Sequence, residues 1–193
     1  MAQLTRSKKI KTAVFISGTG SNLKSLILFS KLKKSPISIN LIISNNSKSK
    51  GLKLGNIFKI KKKIFDFENK NLTETKIISE LKKNKIDLIC LAGFMKILSK
   101  KFINNFKGNI INIHPSLLPK FKGLNTHERA IQNKERYSGC TVHFVNSKLD
   151  SGRIVIQKKV KINKNDTPKT LAKKILTQEH ILYPKAILKI FSL

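Results

Sequence analysis

The sequence is poor in cysteine, in acidic residues and in long apolar runs, and each shortage excludes a class of protein. Its two cysteines, Cys90 and Cys140, form no CxxC pair and its four histidines are scattered, so we predict neither a disulfide framework nor a metal site. No apolar run approaches the roughly 20 residues of a membrane-spanning helix. Residues 1–11 are polar and basic, without the apolar core of a signal peptide. We therefore expect a cytoplasmic protein that does not associate with membranes.

The shortage of acidic residues leaves a large positive charge. Ten Asp and Glu residues oppose 40 Lys and Arg residues, which gives a formal charge of +30. Such a charge can indicate nucleic-acid binding. Only four of the basic residues are arginines, however, and arginine supplies most of the bidentate contacts to bases. We interpret the lysines mainly as a solvated surface that attracts anionic ligands, and a nucleic-acid-binding module remains the alternative.

Apolar runs alternate with amphipathic segments along the chain. We predict strands at 12–17, 37–43, 64–67, 86–92, 110–114, 137–145 and 154–162. We predict helices at 23–33, 48–59, 73–83, from the turn at Gly93 to about 106, at 126–132, and at 168–190. Short links between alternating elements predict an α/β fold, a doubly wound, mostly parallel sheet with helices on both faces. One domain spans 1–193, and 1–11 is predicted to be a flexible basic extension.

The segment 109–119 contains the strongest local pattern. Asn112 and His114 lie two residues apart in a run rich in isoleucine, so in a strand their side chains point to the same face. Pro115 then ends the strand. An amide can stabilise an oxyanion, and an imidazole can carry a proton near neutral pH. Spacing alone leaves a second interpretation open, in which Asn112 caps the strand and His114 is a hydrogen-bonded core residue.

A glycine turn at 18–22 follows the first predicted strand and precedes a helix. This arrangement directs backbone N–H groups and the positive end of the helix dipole at one point, which favours an anion. It is not a dinucleotide fingerprint, because Leu23 stands where a third glycine would be. A simple tight turn is the alternative.

Five motifs, in order along nearly the whole chain, resemble those of the folate-dependent formyltransferases. They are S-G-x-G-S-N-L at 17–23, L-A-G-F-M-K-I-L at 91–98, N-x-H-P-S-L-L-P at 112–119, V-H-F-V-x(4)-D-x-G at 142–152 and T-Q-E-H at 177–180. Within the family, the resemblance is strongest to members that formylate glycinamide ribonucleotide in purine synthesis. It implies a Rossmann-like formyltransferase fold, 10-formyltetrahydrofolate as the formyl donor and no metal.

The resemblance also implies roles for individual residues. The implied catalytic residues are Asn112, His114 and Asp150, and His143 is a possible supporting residue. The implied phosphoribosyl glycinamide site consists of Gly20, Ser21, Asn22 and Glu179. The implied formyl-folate site consists of Lys70, Met95, Lys96, Ile97, Leu98, Asn112, Asn146, Ser147, Lys148, Leu149 and Asp150. From the residues alone, Asp150 could equally be a turn former, His143 a core histidine and Glu179 a solvated helix charge.

Three residues depart from the family pattern. Lys96 replaces a common arginine, Lys70 replaces an arginine found in some members, and Asn125 replaces a frequent histidine. Lysine keeps the charge but loses the bidentate geometry of arginine. Two other family activities are alternatives, methionyl-tRNA formylation and formyltetrahydrofolate hydrolysis. Both usually come with an additional domain for which 193 residues leave no room. We expect small-molecule substrates as partners and a monomer or weak homodimer.

Overall fold

A seven-stranded sheet runs through the centre of the protein, whose computed structural model describes residues 9–191. The strands are β1 (Ile10–Ile16), β2 (Ile37–Ser44), β3 (Lys61–Ile64), β4 (Leu88–Leu91), β5 (Asn109–His114), β6 (Tyr137–Phe144) and β7 (Ile154–Lys161). Their order in the sheet is β3-β2-β1-β4-β5-β6-β7. The pairs among β1 to β5 are parallel, whereas β6 is antiparallel to both β5 and β7. The mostly parallel sheet predicted from the sequence is confirmed.

Helices cover both faces of this sheet. They are α1 (Ser21–Ser30), α2 (Lys53–Ile57) after a 3₁₀ turn (Lys50–Leu52), α3 (Lys70–Lys83), α4 (Lys100–Asn105), α5 (Thr126–Gln132) and α6 (Pro168–Ile190). Alternate residues of β1 enter two separate cores, as the pleat requires. Val14 packs on the side of α1 and α6, and Phe15 packs on the side of α3 and α4. The doubly wound arrangement is therefore confirmed.

The last helix fixes the middle of the sheet. Its start follows the prediction, because Thr167 caps the helix by accepting from the Thr170 N–H, and Pro168 is the first helical residue. Farther along α6, the fully buried Tyr183 hydroxyl lies 3.0 Å from the Leu91 carbonyl and 3.1 Å from the Ile111 carbonyl. Helix α6 thus contacts the carboxyl end of β4 and the middle of β5 directly.

Two predicted elements are displaced. The strand expected at 64–67 lies at 61–64, where three lysines precede Ile64. The helix expected to follow Gly93 begins only at Lys100, because Ser99 caps it by accepting from the Phe102 N–H. The Glu74 carboxylate of α3 accepts from both the backbone N–H and the hydroxyl of Ser99. A contact from another helix therefore sets the start of α4.

The amino-terminal prediction is partly wrong. Ile10 and Lys11 belong to β1 and pair with β2, so they are not part of an extension. Residues 1–8 lie outside the described residues. None of the helices in the described part of the chain combines the length and apolar character that crossing a bilayer requires.

Candidate active site

Strand β5 delivers the predicted amide and imidazole to one edge of the sheet. In its antiparallel pairing with β6, Asn112 lies opposite His143 and His114 lies opposite Thr141. The loop between β6 and β7 then returns to the same edge and carries Asp150. The fold therefore brings together four predicted residues, Asn112, His114, His143 and Asp150. The first and last of them are 38 positions apart in the sequence.

The His114 ring lies between two oxygen atoms. Its Nε2 donates to the Phe121 carbonyl at 2.9 Å, and its Nδ1 lies 3.4 Å from Oδ2 of Asp150. The same Asp150 oxygen accepts from the Gly123 N–H at 2.9 Å. An imidazole donates from both nitrogens only when it is protonated. Each ring nitrogen of His114 therefore faces an oxygen atom that can accept a hydrogen bond.

The His143 ring is held in its neutral form. Its Nδ1 donates to the Phe144 carbonyl at 2.8 Å, which leaves Nε2 to accept from the Asn112 side-chain amide at 3.2 Å. Burial lowers the pKa of His143, and the Phe144 carbonyl and Asp150 only partly oppose that effect. His143 is thus a neutral acceptor at pH 7 that orients the Asn112 amide.

Together these side chains form a site for acyl transfer or proton transfer. Asn112 has a second amide N–H beyond the one that His143 accepts, and such a donor can stabilise an oxyanion. His114 can move a proton, and the adjacent Asp150 carboxylate can orient the ring and stabilise its charged form. The arrangement thus contains the groups that such chemistry needs, and the catalytic roles of these residues stay predictions.

The glycine turn after β1 forms a tight cradle at the start of α1. Gly20 has a φ of +78°, and a Cβ atom added there would lie 2.6 Å from the Gly51 Cα. Only glycine fits this position. The Gly51 N–H donates to the Gly18 carbonyl at 3.1 Å, so the turn is tied to the chain beyond β2. Backbone N–H groups of α1 start at this cradle, as an anion site requires.

Glu179 of α6 lies against the cradle. The Asn22 side-chain amide donates to its carboxylate at 2.7 Å, and both residues are buried, with 8% and 7% exposure. Burial raises the pKa of Glu179, with the Asn22 hydrogen bond opposing. The buried Oδ1 of Asn22 has no hydrogen-bond partner among the described residues. The alternative of a solvated helix charge for Glu179 is therefore wrong.

The segment after β4 borders the same edge. The Met95 N–H donates to the Ser17 hydroxyl at 2.8 Å, and that hydroxyl donates to Oδ1 of Asn45 at 2.5 Å. Met95 and Ile97 are 63% and 61% exposed, and Lys96 is also exposed, whereas Leu98 is buried in the core beside α3 and α4. The two exposed apolar side chains form a surface that an aromatic ligand could cover.

Two further predicted positions are less constrained. Lys70 is exposed at the first position of α3, and within residues 9–191 no hydrogen bond or ion pair joins it to another predicted site residue. In the β6–β7 loop, Asn146 accepts from the Lys148 N–H at 3.0 Å, and Ser147, Lys148 and Leu149 are exposed. The structure brings this loop to the site through Asp150, whereas it does not bring Lys70 into contact.

Sequence reasoning missed three contributors to the site. Phe121 and Gly123 act through backbone groups, a carbonyl and an N–H, for which no side-chain pattern exists. Ser17 could have been found, because it directly follows β1 at the edge where ligands of such sheets gather. Across residues 9–191, no group of three or more His, Cys, Asp or Glu side chains is arranged as a metal ion would need. The expected lack of a metal stays a prediction.

Comparison with known proteins shows the family to which this chain is similar. Residues 10–187 match the family model described as formyl transferase. The chain is 42% identical over 180 residues to the phosphoribosylglycinamide formyltransferase of Haemophilus influenzae, covering 92% of this chain and 85% of that protein. The crystal structure of phosphoribosylglycinamide formyltransferase from Brucella melitensis superposes with a TM-score of 0.90 at 41% identity, covering 95% of this chain and 96% of that one.

Longer proteins also contain a similar region. The trifunctional purine biosynthetic protein adenosine-3 of Homo sapiens is 40% identical over 183 residues, which is 93% of this chain. The chain spans only 18% of the length of that protein. The similarity therefore concerns one part of the trifunctional protein.

Proposed function

This chain belongs to the formyl transferase family, and we propose that it transfers the formyl group of 10-formyltetrahydrofolate to the amine of glycinamide ribonucleotide. This is a step of purine biosynthesis, in agreement with the names of the relatives at about 40% identity. The single observation that carries the proposal is the contact between His114 and Asp150 beside the Asn112 amide. The anion cradle at Gly20 lies at the same edge of the sheet.

The proposed reaction exchanges one C–N bond for another. The amine nitrogen of glycinamide ribonucleotide attacks the formyl carbon, and the carbonyl π electrons move onto oxygen. The resulting tetrahedral intermediate collapses, the bond from the formyl carbon to the folate nitrogen breaks, and that nitrogen receives a proton. Because the substrate supplies the nucleophile, the protein needs no activated serine or cysteine.

Asn112 and His114 carry the chemical step in this proposal. Asn112 donates its free amide N–H to the oxyanion of the intermediate, and His143 keeps that amide oriented. His114 takes the proton from the attacking nitrogen and returns it to the departing folate nitrogen, while Asp150 holds the ring and stabilises its charge. The close approach of these side chains supports this division of roles.

The substrate sites follow from the same edge. The backbone N–H groups at Gly20, Ser21 and Asn22 bind the phosphate, with Glu179 contacting the polar part of glycinamide ribonucleotide. The formyl-folate lies beside the segment Met95, Lys96, Ile97 and Leu98 and beside the loop at 146–150. Lys70 remains a more distant candidate. A cytoplasmic location and a monomer or weak homodimer remain predictions from the sequence.

An assay with two acceptors tests the proposal. Purified protein is incubated with 10-formyltetrahydrofolate and either glycinamide ribonucleotide or water alone, and formylated product and released folate are measured. We expect turnover that requires glycinamide ribonucleotide. Folate release at the same rate without it would instead identify a hydrolase, and tight binding to nucleic acid without turnover would identify the non-catalytic alternative.

His114→Ala separates chemistry from binding. We expect turnover to fall to background while calorimetric affinities for both substrates stay near those of the unmodified protein, because the proposed phosphate cradle follows β1 whereas His114 lies on β5. Asn109→Ala is the control, since Asn109 is exposed at the opposite end of the same strand. Near-normal turnover of the His114 variant would refute the assignment.

A further inference from the structure

One short segment contacts both members of the His114–Asp150 pair. The 121–125 segment, which follows the Leu-Leu-Pro of the central motif, supplies the Phe121 carbonyl to His114 and the Gly123 N–H to Asp150. Both contacts use the backbone, so their geometry depends on the path of the segment and not on its side chains. Whatever holds the segment therefore holds the pair.

The segment does not keep this path by local preference. Phe121, Gly123 and Asn125 all have left-handed backbones, with φ of +54°, +78° and +56°. Glycine adopts this region freely and asparagine tolerates it, but phenylalanine rarely does. An alternative path is open to such a segment unless contacts from outside fix it.

Arg129 of α5 supplies those contacts. Its guanidinium Nη1 donates to the Lys122 carbonyl at 2.7 Å and to the Leu124 carbonyl at 3.3 Å. Its Cζ also lies 5.3 Å from the centre of the Phe121 ring. One planar group thus contacts three residues of the segment, Phe121, Lys122 and Leu124, and the Phe121 carbonyl is the one that accepts from His114.

We propose that Arg129 is a positioning residue for the formyl transfer, which acts on His114 through the Phe121 carbonyl and on Asp150 through the Gly123 N–H. The inference rests on the proposed function for its kinetic consequence. Its structural consequence, the orientation of the His114 ring, does not depend on which reaction the site performs. Among the described residues, no hydrogen bond or ion pair joins the Arg129 guanidinium to His114 or Asp150.

Arg129→Gln tests the proposal with two measurements. We expect kcat for formyl transfer to fall about 10- to 100-fold, as small displacements of reacting groups do, with little change in the KM of either substrate. We also expect the ¹⁵N NMR signal of the His114 Nε2 to move, because its hydrogen bond to Phe121 is lost. Arg129→Lys keeps the charge and a donor but not the planar group, so its effects should be intermediate.

Arg136→Gln is the matched control. Arg136 is exposed and lies five residues before Thr141, the strand partner of His114, which is about 17 Å along an extended strand. The Arg136→Gln substitution removes the same charge as Arg129→Gln. The kcat for formyl transfer and the ¹⁵N signal of His114 should both stay at their original values. An equal loss of rate in this variant would mean that net charge, and not position, matters.

Each remaining outcome also decides the question. Normal kcat in Arg129→Gln, or a reduced kcat with an unmoved His114 signal, overturns the proposal. If Arg129→Gln loses its cooperative unfolding transition, the same two measurements on Arg129→Lys decide in its place. If the unmodified protein shows no formyl transfer, the proposed function fails, whereas the NMR comparison still supports or refutes the positioning role.

Discussion

Asn112→Ala removes one amide that the structure uses in two ways. The side chain donates to Nε2 of His143 at 3.2 Å, and in the proposed reaction its second N–H stabilises the oxyanion. The two uses have different consequences. Loss of the oxyanion donor slows the chemical step, and loss of the His143 contact weakens the fold.

The expected sizes follow from these contacts. Loss of one oxyanion donor raises the barrier by about 3–4 kcal/mol, so kcat should fall roughly 10²- to 10³-fold. His143 is only 2% exposed, so the loss of the hydrogen bond at its Nε2 costs about 1–3 kcal/mol of stability. In a domain of this size, that loss lowers Tm by about 2–4 °C per kcal/mol.

The measurements are steady-state kinetics with glycinamide ribonucleotide and thermal unfolding monitored by circular dichroism. Asn109→Ala is the matched control, because Asn109 is an exposed residue at the other end of the same strand. We expect that control to keep its rate and its Tm. The KM for glycinamide ribonucleotide should change little in either variant, because in the proposed function its phosphate binds at the Gly20 cradle.

Two results would refute this reasoning. A folded Asn112→Ala protein with kcat within about tenfold of the original would show that the amide does not stabilise the transition state. A loss carried by KM with kcat unchanged would instead mean that Asn112 binds the ground state and the transition state equally.

Two other substitutions test the cradle and the buried acid beside it. Gly20→Ala should lose about 2 kcal/mol or more of stability to urea, because its Cβ would meet Gly51 at 2.6 Å with φ at +78°. Gly18→Ala, with nothing within 4 Å, should not, and equal midpoints would contradict the close approach. Glu179→Gln should change the pH dependence of unfolding. Burial raises the pKa of Glu179 above 4.5, so its favourable contribution is complete below pH 4.5 and is lost as pH rises through the raised value. The stability of the variant relative to the original protein should therefore increase as pH rises above 4.5. Stability curves that run parallel over pH 4–8 would contradict this.

The parts of the fold that were predictable carry their signals locally. β1 and β5 are apolar runs rich in β-branched or aromatic residues, and α6 begins at a capping threonine followed by proline. β3 was misplaced because a run of three lysines disfavours a strand by propensity. Its position at the edge of the sheet, with all four residues exposed, overrides that preference.

The convergence of the candidate site residues was predictable in outline for a different reason. Parallel strands collect the residues after their carboxyl ends at one edge, so Asn112 and His114 could be expected near the Gly20 cradle. The approach of Asp150 was not derivable from spacing, because it depends on β6 and β7 being antiparallel. The contributions of Phe121 and Gly123 were hidden as well, because they depend on the path of the backbone.

Both borders of the sheet carry lysine, with Lys61, Lys62 and Lys63 exposed on β3 and Lys158, Lys159 and Lys161 exposed on β7. If two copies approached edge to edge, like charges would meet in every pairing: β3 with β3, β3 with β7, and β7 with β7. Such repulsion reaches about 30 Å at 0.01 M salt and only about 3 Å at 1 M. High salt concentration should therefore remove the electrostatic barrier to edge-to-edge pairing of two sheets. A buffer of low ionic strength should keep the molecules apart.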